Sequence, residues 1–309
     1  MKPSQPLFLY CALISVAFLW GTSFAAAKLG LRELSPLNLA MLRFLIASTV
    51  FGGILLALKD HNTIERQDIP RFFLLGFLAI TSYFYIQYTG LTYTTTINAA
   101  LIIATSPICA ALLGAFLGWE HFSLLNGLGI LTAFSGVGFI ITNGHFTALF
   151  QPGTLTGNLL LQSNAVVWAG VTVYGKKLLA KYRPFVAMAY IHIFGTLLLV
   201  PFIFFPGPFA AVPLAREISA VTWLTVASSL HLALLCSVFS YFIWYLGVEK
   251  LGAVRTASFA YLNPLFAVIA GVLFLGETFT AFTALGGAMI IAGVYITNRA
   301  RTPKQPVSQ

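Results

Sequence analysis

Charged residues are scarce in this chain of 309 residues. The sequence contains 17 Lys and Arg and 8 Asp and Glu residues, so only 8% of it is charged, whereas 59% is hydrophobic. A soluble protein of this length would carry about 77 charged residues, because soluble domains are about 25% charged. So few charges cannot cover a soluble surface. Their scarcity excludes a soluble enzyme, a nucleic-acid-binding domain and a disordered regulator.

Cysteine is also rare. Cys11, Cys109 and Cys236 lie in apolar runs and show neither CxxC nor metal-ligand spacing, so we interpret them as small membrane-buried residues. The sequence contains no Walker-type phosphate-binding loop, which is the usual mark of ATP-driven transport. We therefore expect no metal, redox or nucleotide cofactor.

Long apolar runs account for the shortage of charge. A membrane-spanning helix needs about 20 mostly apolar residues, and ten such helices leave no room for a soluble catalytic domain. The predicted spans are 8–28, 36–58, 70–92, 96–118, 123–143, 155–176, 184–205, 219–247, 253–275 and 280–298. We therefore predict an all-α integral membrane protein with ten transmembrane helices.

The basic residues predict the orientation of these helices, because Lys and Arg accumulate in cytoplasmic segments. With the N-terminus in the cytoplasm, the outer segments contain only Lys28, Arg32 and Arg216. The inner segments contain 13 basic residues, namely Lys2, Lys59, Arg66, Arg71, Lys176, Lys177, Lys181, Arg183, Lys250, Arg255, Arg299, Arg301 and Lys304. This asymmetry places both termini in the cytoplasm.

The chain contains an internal repeat. A shift of 157 residues aligns residues 97–120 with residues 254–277, and a shift of 148 residues aligns the first span with the sixth. The matched pairs include Trp20 with Trp168, Lys28 with Lys176, Pro107 with Pro264 and Glu120 with Glu277. Each half has five spans, and because five is odd, the second half enters the membrane from the opposite side. We therefore predict two inverted five-helix repeats, 1–147 and 148–309, the architecture of many secondary transporters.

Three motifs resemble those of the EamA family, which belongs to the drug/metabolite transporter superfamily. They are Trp20-Gly21 in the first span, Arg43-Phe44 in the second and Gly276-Glu277 at the end of the ninth. The resemblance covers nearly the whole chain. It implies export of amino acids or related metabolites across a bacterial inner membrane, through a central cavity with the fifth and tenth spans at the periphery. The sequence departs from the family pattern at Trp119, before Glu120, where a glycine is usual.

Ionisable residues inside the predicted spans are few. No Asp or Glu lies in the middle of a span, which disfavours a carboxylate-based proton pump. Arg43, His192 and His231 do lie inside spans, and such residues are functional candidates by default. Arg43 is predicted either to contact substrate or a gate, or to cap carbonyl groups where helices break. For the two histidines, a satisfied position in the core is the alternative.

Four residues at span ends form two predicted gate contacts. Lys28 and Glu277 fall at the outer face, whereas Lys176 and Glu120 fall at the inner face, and the repeat maps one pair onto the other. We hypothesise that a state open on one side lacks the contact on that side. The alternative is that all four residues anchor span ends among the lipid headgroups.

Two prolines are predicted to bend the fourth and ninth spans. A proline inside a helix frees a carbonyl group and kinks the helix, and freed backbone in a membrane is tolerated only where protein or water satisfies it. We therefore expect Ser106, Pro107, Asn263 and Pro264 to line the cavity. A purely structural kink is the alternative.

The remaining cavity candidates are aromatic or neutral polar residues, namely Trp20, Thr22, Tyr83, Gln87, Asn98, Asn164, Trp168, Trp244 and Tyr261. For the aromatic residues, the alternative is the belt at the membrane interface. Asn164 differs from Val16, its partner in the first repeat, which favours the second half as the origin of substrate selectivity. A largely neutral and aromatic lining predicts a neutral or zwitterionic cargo.

Together these features predict an inner-membrane secondary transporter that exports small metabolites, foremost amino acids or related compounds, by alternating access. The alternatives are an exporter of other amphipathic molecules or drugs, a non-transporting scaffold, and an intramembrane enzyme. The scattered acids disfavour an enzyme, and a scaffold does not need an inverted repeat. The expected partners are a small-molecule substrate and the lipid bilayer, with no nucleic acid and with a monomer as one possible assembly.

Overall fold

The computed structural model describes residues 4–57, 64–118, 124–142, 152–201, 212–251, 256 and 259–300. Within these ranges the regular elements are helices, without a β-strand. The first half contains α1 (Ser4–Gly30), α2 (Pro36–Ala57), α3 (Ile69–Gly76), α4 (Tyr83–Tyr93), α5 (Thr96–Ile103), α6 (Ser106–Phe116) and α7 (Leu124–Thr142). The second half contains α8 (Pro152–Lys181), α9 (Pro184–Leu199), α10 (Leu214–Ile218), α11 (Trp223–Leu230), α12 (Ser240–Leu251), α13 (Asn263–Leu275) and α14 (Ala281–Ala300).

The described helices fit a bilayer in length and surface. Five segments are long and apolar enough to cross a membrane, namely Leu7–Gly30, Pro36–Ala57, Arg66–Tyr93, Thr96–Phe116 and Trp223–Val248. Their outward faces carry large apolar side chains, among them Phe116, which is 87% exposed. A surface of this kind suits contact with lipid, because water would leave so much apolar area unburied.

The helix α8 is longer than the sixth predicted span. Its 30 residues run to Lys181, whereas the predicted span ends at Lys176. Lys176 is therefore not at the end of its helix but more than one turn before it. Cys109 and Cys236 are buried within the protein, whereas Cys11 lies on the outward face of α1, within a segment that is long and apolar enough to cross a membrane.

The two prolines begin helices instead of bending them. The chain turns at residues 104–105, and α6 then begins with Pro107 in its first turn. A 3₁₀ turn, Phe259–Leu262, likewise precedes α13, which has Pro264 in its first turn. Proline is well placed there, because the first turn of a helix has no intrahelical acceptor for its backbone N–H groups. The fourth span is therefore interrupted, as expected, but by a break between two helices.

Two π-helical segments interrupt long helices. Phe77–Ser82 joins α3 to α4, and His231–Phe239 joins α11 to α12. The hydroxyl of Ser237 donates to the carbonyl oxygen of Leu232, five residues earlier, at 3.1 Å. Segments of this kind widen a helix and occur often at functional sites.

Small residues bring pairs of helices close together. An added Cβ at Gly136 of α7 would lie 2.5 Å from the carbonyl oxygen of Gly286 of α14, and one at Gly293 would lie 2.4 Å from that of Gly129. Contacts between small residues are typical of helix packing in membranes. Since a side chain at either position would overlap the backbone of the neighbouring helix, these glycines allow α7 and α14 to pack directly.

Candidate functional site

Arg43 is a buried cation between α2, α4 and the π-helical segment that precedes α12. It lies on the buried face of α2 with 4% of its surface exposed. Its Nε donates to the hydroxyl of Ser237 at 3.0 Å, and its Nη1 donates to the hydroxyl of Tyr88 at 2.9 Å. The guanidinium carbon lies 4.5 Å from the ring centroid of Phe84 and 5.1 Å from that of Phe44.

The partners of Arg43 are all uncharged. Among the described residues, no carboxylate forms an ion pair with its guanidinium. A buried charge is costly without a counter-charge, and the phenol and aliphatic hydroxyl beside it offset only part of that cost. The guanidinium has five N–H donors, and its hydrogen bonds to described residues use two of them, which leaves donors within this part of the chain for an anion.

Aromatic rings extend from Arg43 in both directions. Consecutive ring centroids lie 4.6–5.7 Å apart along a series that we call the aromatic series, namely Trp244, Trp20, Tyr241, His192, Phe44, Phe84, Tyr83 and Trp168. The series brings together five of the predicted candidates, Trp20, Tyr83, Trp168, His192 and Trp244. It connects α1 and α12 at one end with α4 and α8 at the other.

The two tryptophans of the repeat have different surroundings. The indole Nε1 of Trp20 donates to the carbonyl oxygen of Cys236 at 2.9 Å, within the π-helical segment that precedes α12. Trp168 contacts the ring of Tyr83 at 5.1 Å. Trp20 therefore satisfies a carbonyl group of the widened helix, in addition to contributing a ring to the aromatic series.

The two histidines differ in their contacts. His192 is fully buried, and its Nδ1 lies 2.8 Å from the carbonyl oxygen of Met188 on its own helix. The Nε2 atoms of His192 and His231 have no hydrogen-bond partner within the described part of the chain. His192 contacts Phe51 at 4.8 Å between ring centroids. Only one of the two ring nitrogens of His192 therefore has a hydrogen-bond partner among the described residues.

The neutral polar candidates fall into two groups. Thr22 donates to the carbonyl oxygen of Phe18 at 2.9 Å, and the Asn98 side chain donates to Thr94 Oγ1 at 3.4 Å. In contrast, polar atoms without a hydrogen-bond partner among the described residues occur on three buried or half-buried candidates, namely Gln87, Asn164 and Asn263. Ser106 and Pro107 lie in the first turn of α6, and the Tyr261 side chain lies outside the described residues.

Glu277 forms a cap on α5 at the predicted outer face. Its carboxylate accepts hydrogen bonds from the backbone N–H of Thr96 at 2.7 Å, from the Thr96 hydroxyl at 2.8 Å and from the backbone N–H of Ile97 at 3.1 Å. The Nζ of Lys28 lies 3.8 Å from the same carboxylate and donates to the carbonyl oxygen of Thr94. We call these residues the outer clasp, because they join the ends of α1, α4 and α13 to the start of α5. Its members are Lys28, Thr94, Thr96, Ile97 and Glu277.

Glycine geometry explains how Glu277 reaches this position. Gly276 has a φ of +66°, and the backbone N–H of Glu277 donates to the carbonyl oxygen of Gly271 at 3.0 Å, a common way to end a helix. Gly118 has the same left-handed conformation, with a φ of +69°, after α6. The glycine that the family pattern places at Trp119 is therefore present one residue earlier.

A pocket of 330 Å³ adjoins the outer clasp. Its lining combines two basic residues and the clasp carboxylate with two threonines and three leucines, namely Lys28, Leu31, Arg32, Leu91, Thr92, Thr95, Leu275 and Glu277. Such a lining suits a small amphipathic molecule at the outer mouth.

The described ion pairs at the predicted inner face are made by Lys181 and by Arg71. Lys176 is exposed and forms no ion pair among the described residues, and Glu120 lies outside them. Lys181 instead pairs with Glu65 and with the buried Asp68, each at 2.7 Å. The Tyr182 hydroxyl also donates to Asp68, at 2.7 Å. The sequence placed Lys181 among the inner basic residues but offered no signal that it pairs with Asp68, 113 residues away.

The pairing of Lys181 predicts a pH-dependent contribution to stability. Hydrogen bonds to Asp68 and Glu65 raise the pKa of Lys181 above its ordinary value of 10.5, and the bond from Lys181 lowers the pKa of Glu65 below 4.5. A lysine whose pKa is raised by folding stabilises the fold fully below its ordinary pKa, and this contribution is lost as the pH rises through the raised pKa. A carboxyl group whose pKa is lowered by folding stabilises the fold fully above its ordinary pKa, and this contribution is lost as the pH falls through the lowered pKa. Both contributions are therefore present between about pH 4.5 and pH 10.5.

We expect the substitution Lys181→Met to lower the melting temperature of the purified protein at pH 7. The difference from the wild type should shrink below pH 4, because the carboxyl groups become protonated and no longer need the ammonium. Lys176→Met is the matched control on the same helix and should leave the melting temperature unchanged. Equal effects of the two substitutions would contradict a specific role for Lys181.

Comparisons with known proteins agree with the motifs. The model of the EamA-like transporter family matches residues 7–142 and, separately, residues 155–299. An uncharacterized transporter of Archaeoglobus fulgidus is 34% identical over 279 residues, which cover 90% of this chain and 93% of that protein. A probable terminal-alkyne amino-acid exporter of Streptantibioticus cattleyicolor is 27% identical, with 97% of this chain and 95% of that protein covered.

A solved structure shares the fold. A protein of known crystal structure superposes with a TM-score of 0.59 at 20% identity, over 94% of this chain and 96% of that one. The family matches cover most of the sequence, and they include Trp20-Gly21, Arg43-Phe44 and Gly276-Glu277. The resemblance that these motifs carry is thereby confirmed, and the chain belongs to the EamA-like transporter family of membrane proteins.

Proposed function

We propose that this protein exports small amphipathic carboxylates, foremost amino acids and related compounds, by alternating access. The observation that carries the proposal is Arg43, a buried cation whose described partners are a phenol and an aliphatic hydroxyl. A guanidinium binds a carboxylate through two parallel hydrogen bonds. The rings of the aromatic series beside it offer contact to the apolar part of such a cargo.

We further propose ten membrane spans in two inverted repeats, 1–147 and 148–309. The two separate family matches support this division. The contact between α2 and α9 supports it independently, because the hydroxyl oxygens of Ser48 and Thr196 lie 2.7 Å apart and these residues are separated by the repeat shift of 148. A residue that contacts its own equivalent lies next to a two-fold axis.

The contact between α7 and α14 has the same symmetry. Gly136 contacts Gly286, and Gly129 contacts Gly293, and a shift of 157 residues converts each contact into the other. Contacts that exchange in this way are typical of a two-fold axis. Arg43 lies beside this axis on α2, because the next residue, Phe44, contacts its own repeat equivalent, His192, with 5.7 Å between the ring centroids. A cargo at Arg43 would therefore lie between the two halves, where inverted-repeat transporters bind substrate.

The orientation and the gates complete the proposal. The excess of Lys and Arg in one set of segments favours both termini in the cytoplasm, and the family resemblance implies the bacterial inner membrane. In that orientation the outer clasp closes the outer side, and an outward-open state requires Lys28 and Glu277 to separate. The contact between Lys176 and Glu120 stays a prediction, because Glu120 lies outside the described residues.

Transport into proteoliposomes tests the proposed function. We expect at least one labelled apolar or aromatic amino acid to equilibrate across vesicles that contain the protein, saturably and faster than across protein-free vesicles. The rate should not depend on a pH gradient, because the predicted span interiors hold no carboxylate to carry protons. Failure of every amino acid and related carboxylate in the panel would overturn the proposal.

A further inference from the structure

The helices α4 and α8 pack against each other in opposite directions. The rings of Tyr83 and Trp168 lie 5.1 Å apart. Further along α4, an added Cβ at Gly90 would lie 3.0 Å from Cγ of Leu161 on α8. Residue numbers therefore rise along α4 while they fall along α8. This antiparallel arrangement shows which residues of the two helices lie opposite each other between the two contacts.

Two amide side chains lie between these contacts. Gln87 is four residues after the first contact on α4, and Asn164 is four residues before it on α8. Residues separated by four positions share a helix face, so both side chains are on the faces that pack together. Gln87 is 6% exposed and Asn164 is 0% exposed. The interface therefore buries two neutral polar groups at the same level.

Several polar atoms of these side chains are unsatisfied. Among the described residues, Oε1 of Gln87 has no hydrogen-bond partner, and neither Oδ1 nor Nδ2 of Asn164 has one. Buried polar groups are nearly always hydrogen-bonded, because an unpaired group loses its bonds to water without replacement. A pair of such groups in one interface needs an explanation beyond packing.

The equivalent interface in the other half shows that the packing does not need amides. An added Cβ at Gly247 would lie 2.9 Å from a Leu13 methyl group, and this contact is the repeat equivalent of Gly90 on Leu161. The positions equivalent to Gln87 and Asn164 are Trp244 and Val16, and both belong to an apolar cluster. The same helix crossing is thus built from apolar residues in one half and contains two unpaired amides in the other.

We propose that Gln87 and Asn164 bind an N–H donor group of the cargo, above all an ammonium group. Two of their unpaired atoms are amide oxygens, which accept hydrogen bonds, and an ammonium offers three donors and no acceptor. This inference rests on the proposed function, in which Arg43 binds the carboxylate end. With both sites, the protein selects zwitterions over carboxylates that lack an amine. Neutral amides also hold the ammonium less tightly than a carboxylate would, which permits its release.

Competition against transport of labelled leucine tests this inference. The amine preference is the ratio of the inhibition constants of 4-methylpentanoate, which lacks the amine, and unlabelled leucine. We expect Asn164→Val and Gln87→Met to lower this ratio about tenfold, since hydrogen bonds to a charged group contribute roughly that factor or more. Both substitutions should also raise the melting temperature, because they remove unpaired polar atoms from the interior.

Gln162→Met is the matched control on α8. The Gln162 side chain donates to the Thr105 hydroxyl at 3.3 Å, so its loss should lower the melting temperature and leave the amine preference unchanged. An unchanged amine preference in Asn164→Val and Gln87→Met would overturn the inference, and so would melting temperatures that fall in both variants. The proposed function would still stand in that case, provided that the wild-type protein transports leucine. If wild-type protein transports neither leucine nor another carboxylate, the proposed function itself fails.

Discussion

Replacing Arg43 with glutamine is expected to reduce transport of a carboxylate cargo at least about 30-fold. Truncating one partner of a buried, hydrogen-bonded charge pair costs about 2–5 kcal/mol, and the lower limit corresponds to that factor. The loss should appear mainly as a higher half-saturation concentration, because glutamine can still donate one hydrogen bond but carries no charge. Initial rates in proteoliposomes over a range of cargo concentrations measure both quantities.

Arg43→Lys separates the charge from the shape of the guanidinium. Lysine keeps a positive charge but offers no planar pair of donors, so we expect intermediate transport. Stability distinguishes a structural role from a binding role. If the main role of Arg43 is to hold Ser237 and Tyr88 in place, Arg43→Gln should lower the melting temperature strongly, whereas a binding role leaves the temperature similar and removes transport. Normal transport by a well-folded Arg43→Gln variant would refute the assignment.

The second large effect is expected from Glu277→Ala, which removes the centre of the outer clasp. The substitution leaves three donors without an acceptor, two of them backbone N–H groups at the start of α5, and Thr96 is fully buried. The unpaired groups should lower the free energy of unfolding by about 2–4 kcal/mol. Thermal unfolding of the purified protein measures this loss as a lower melting temperature.

Gly271→Ala perturbs the same carboxylate from the other side. An added Cβ would lie 2.7 Å from Glu277 Oε2 and 2.8 Å from Thr96 Oγ1, so it displaces the carboxylate without removing it. We expect destabilisation in the same direction as in Glu277→Ala. Gly138→Ala is a suitable control, because no atom lies within 4 Å of the Cβ it would add.

A gate requires more than stability from the outer clasp. Lys28→Met should cost less than about 1 kcal/mol, because the ion pair is partly exposed, yet it should open the outer side. A cysteine at Ala100, buried one turn below Thr96, reports on this opening in a background that lacks the three native cysteines. We expect a membrane-impermeant thiol reagent to label Ala100→Cys faster when Lys28→Met is present. Unchanged labelling would leave the clasp with a structural role only.

Much of the fold was predictable because it depends on local properties of the chain. Apolar runs predict helices, and the predicted spans overlap described helical segments, five of which are long and apolar enough to cross a membrane. The shifts of 148 and 157 residues recur as contacts between equivalent residues, as for Ser48 with Thr196. The prolines predicted interruptions at the right positions, although the structure begins new helices there, because proline is tolerated best in a first turn.

The site was predictable in its members but not in their contacts. Arg43 stood out as a charge within an apolar run, yet the sequence contained no sign of Ser237, 194 residues away, as its partner. Lys28 and Glu277 were paired through the topology and do lie together, whereas the ion pairs of Lys181 with Glu65 and Asp68 were not predicted. The difference is that α8 continues beyond the predicted span, which no hydropathy pattern indicates.

Hydropathy along the chain was thus sufficient to predict a helical membrane protein and the positions of its helices, and three short motifs carried the resemblance to its family. Each of these depends on residues that are neighbours in the sequence. Which polar atoms find a partner depends instead on helices that meet in space, often more than 100 residues apart in the chain. For that reason the uncharged surroundings of Arg43, the cap on α5 and the two unpaired amides between α4 and α8 emerged only from the packed helices.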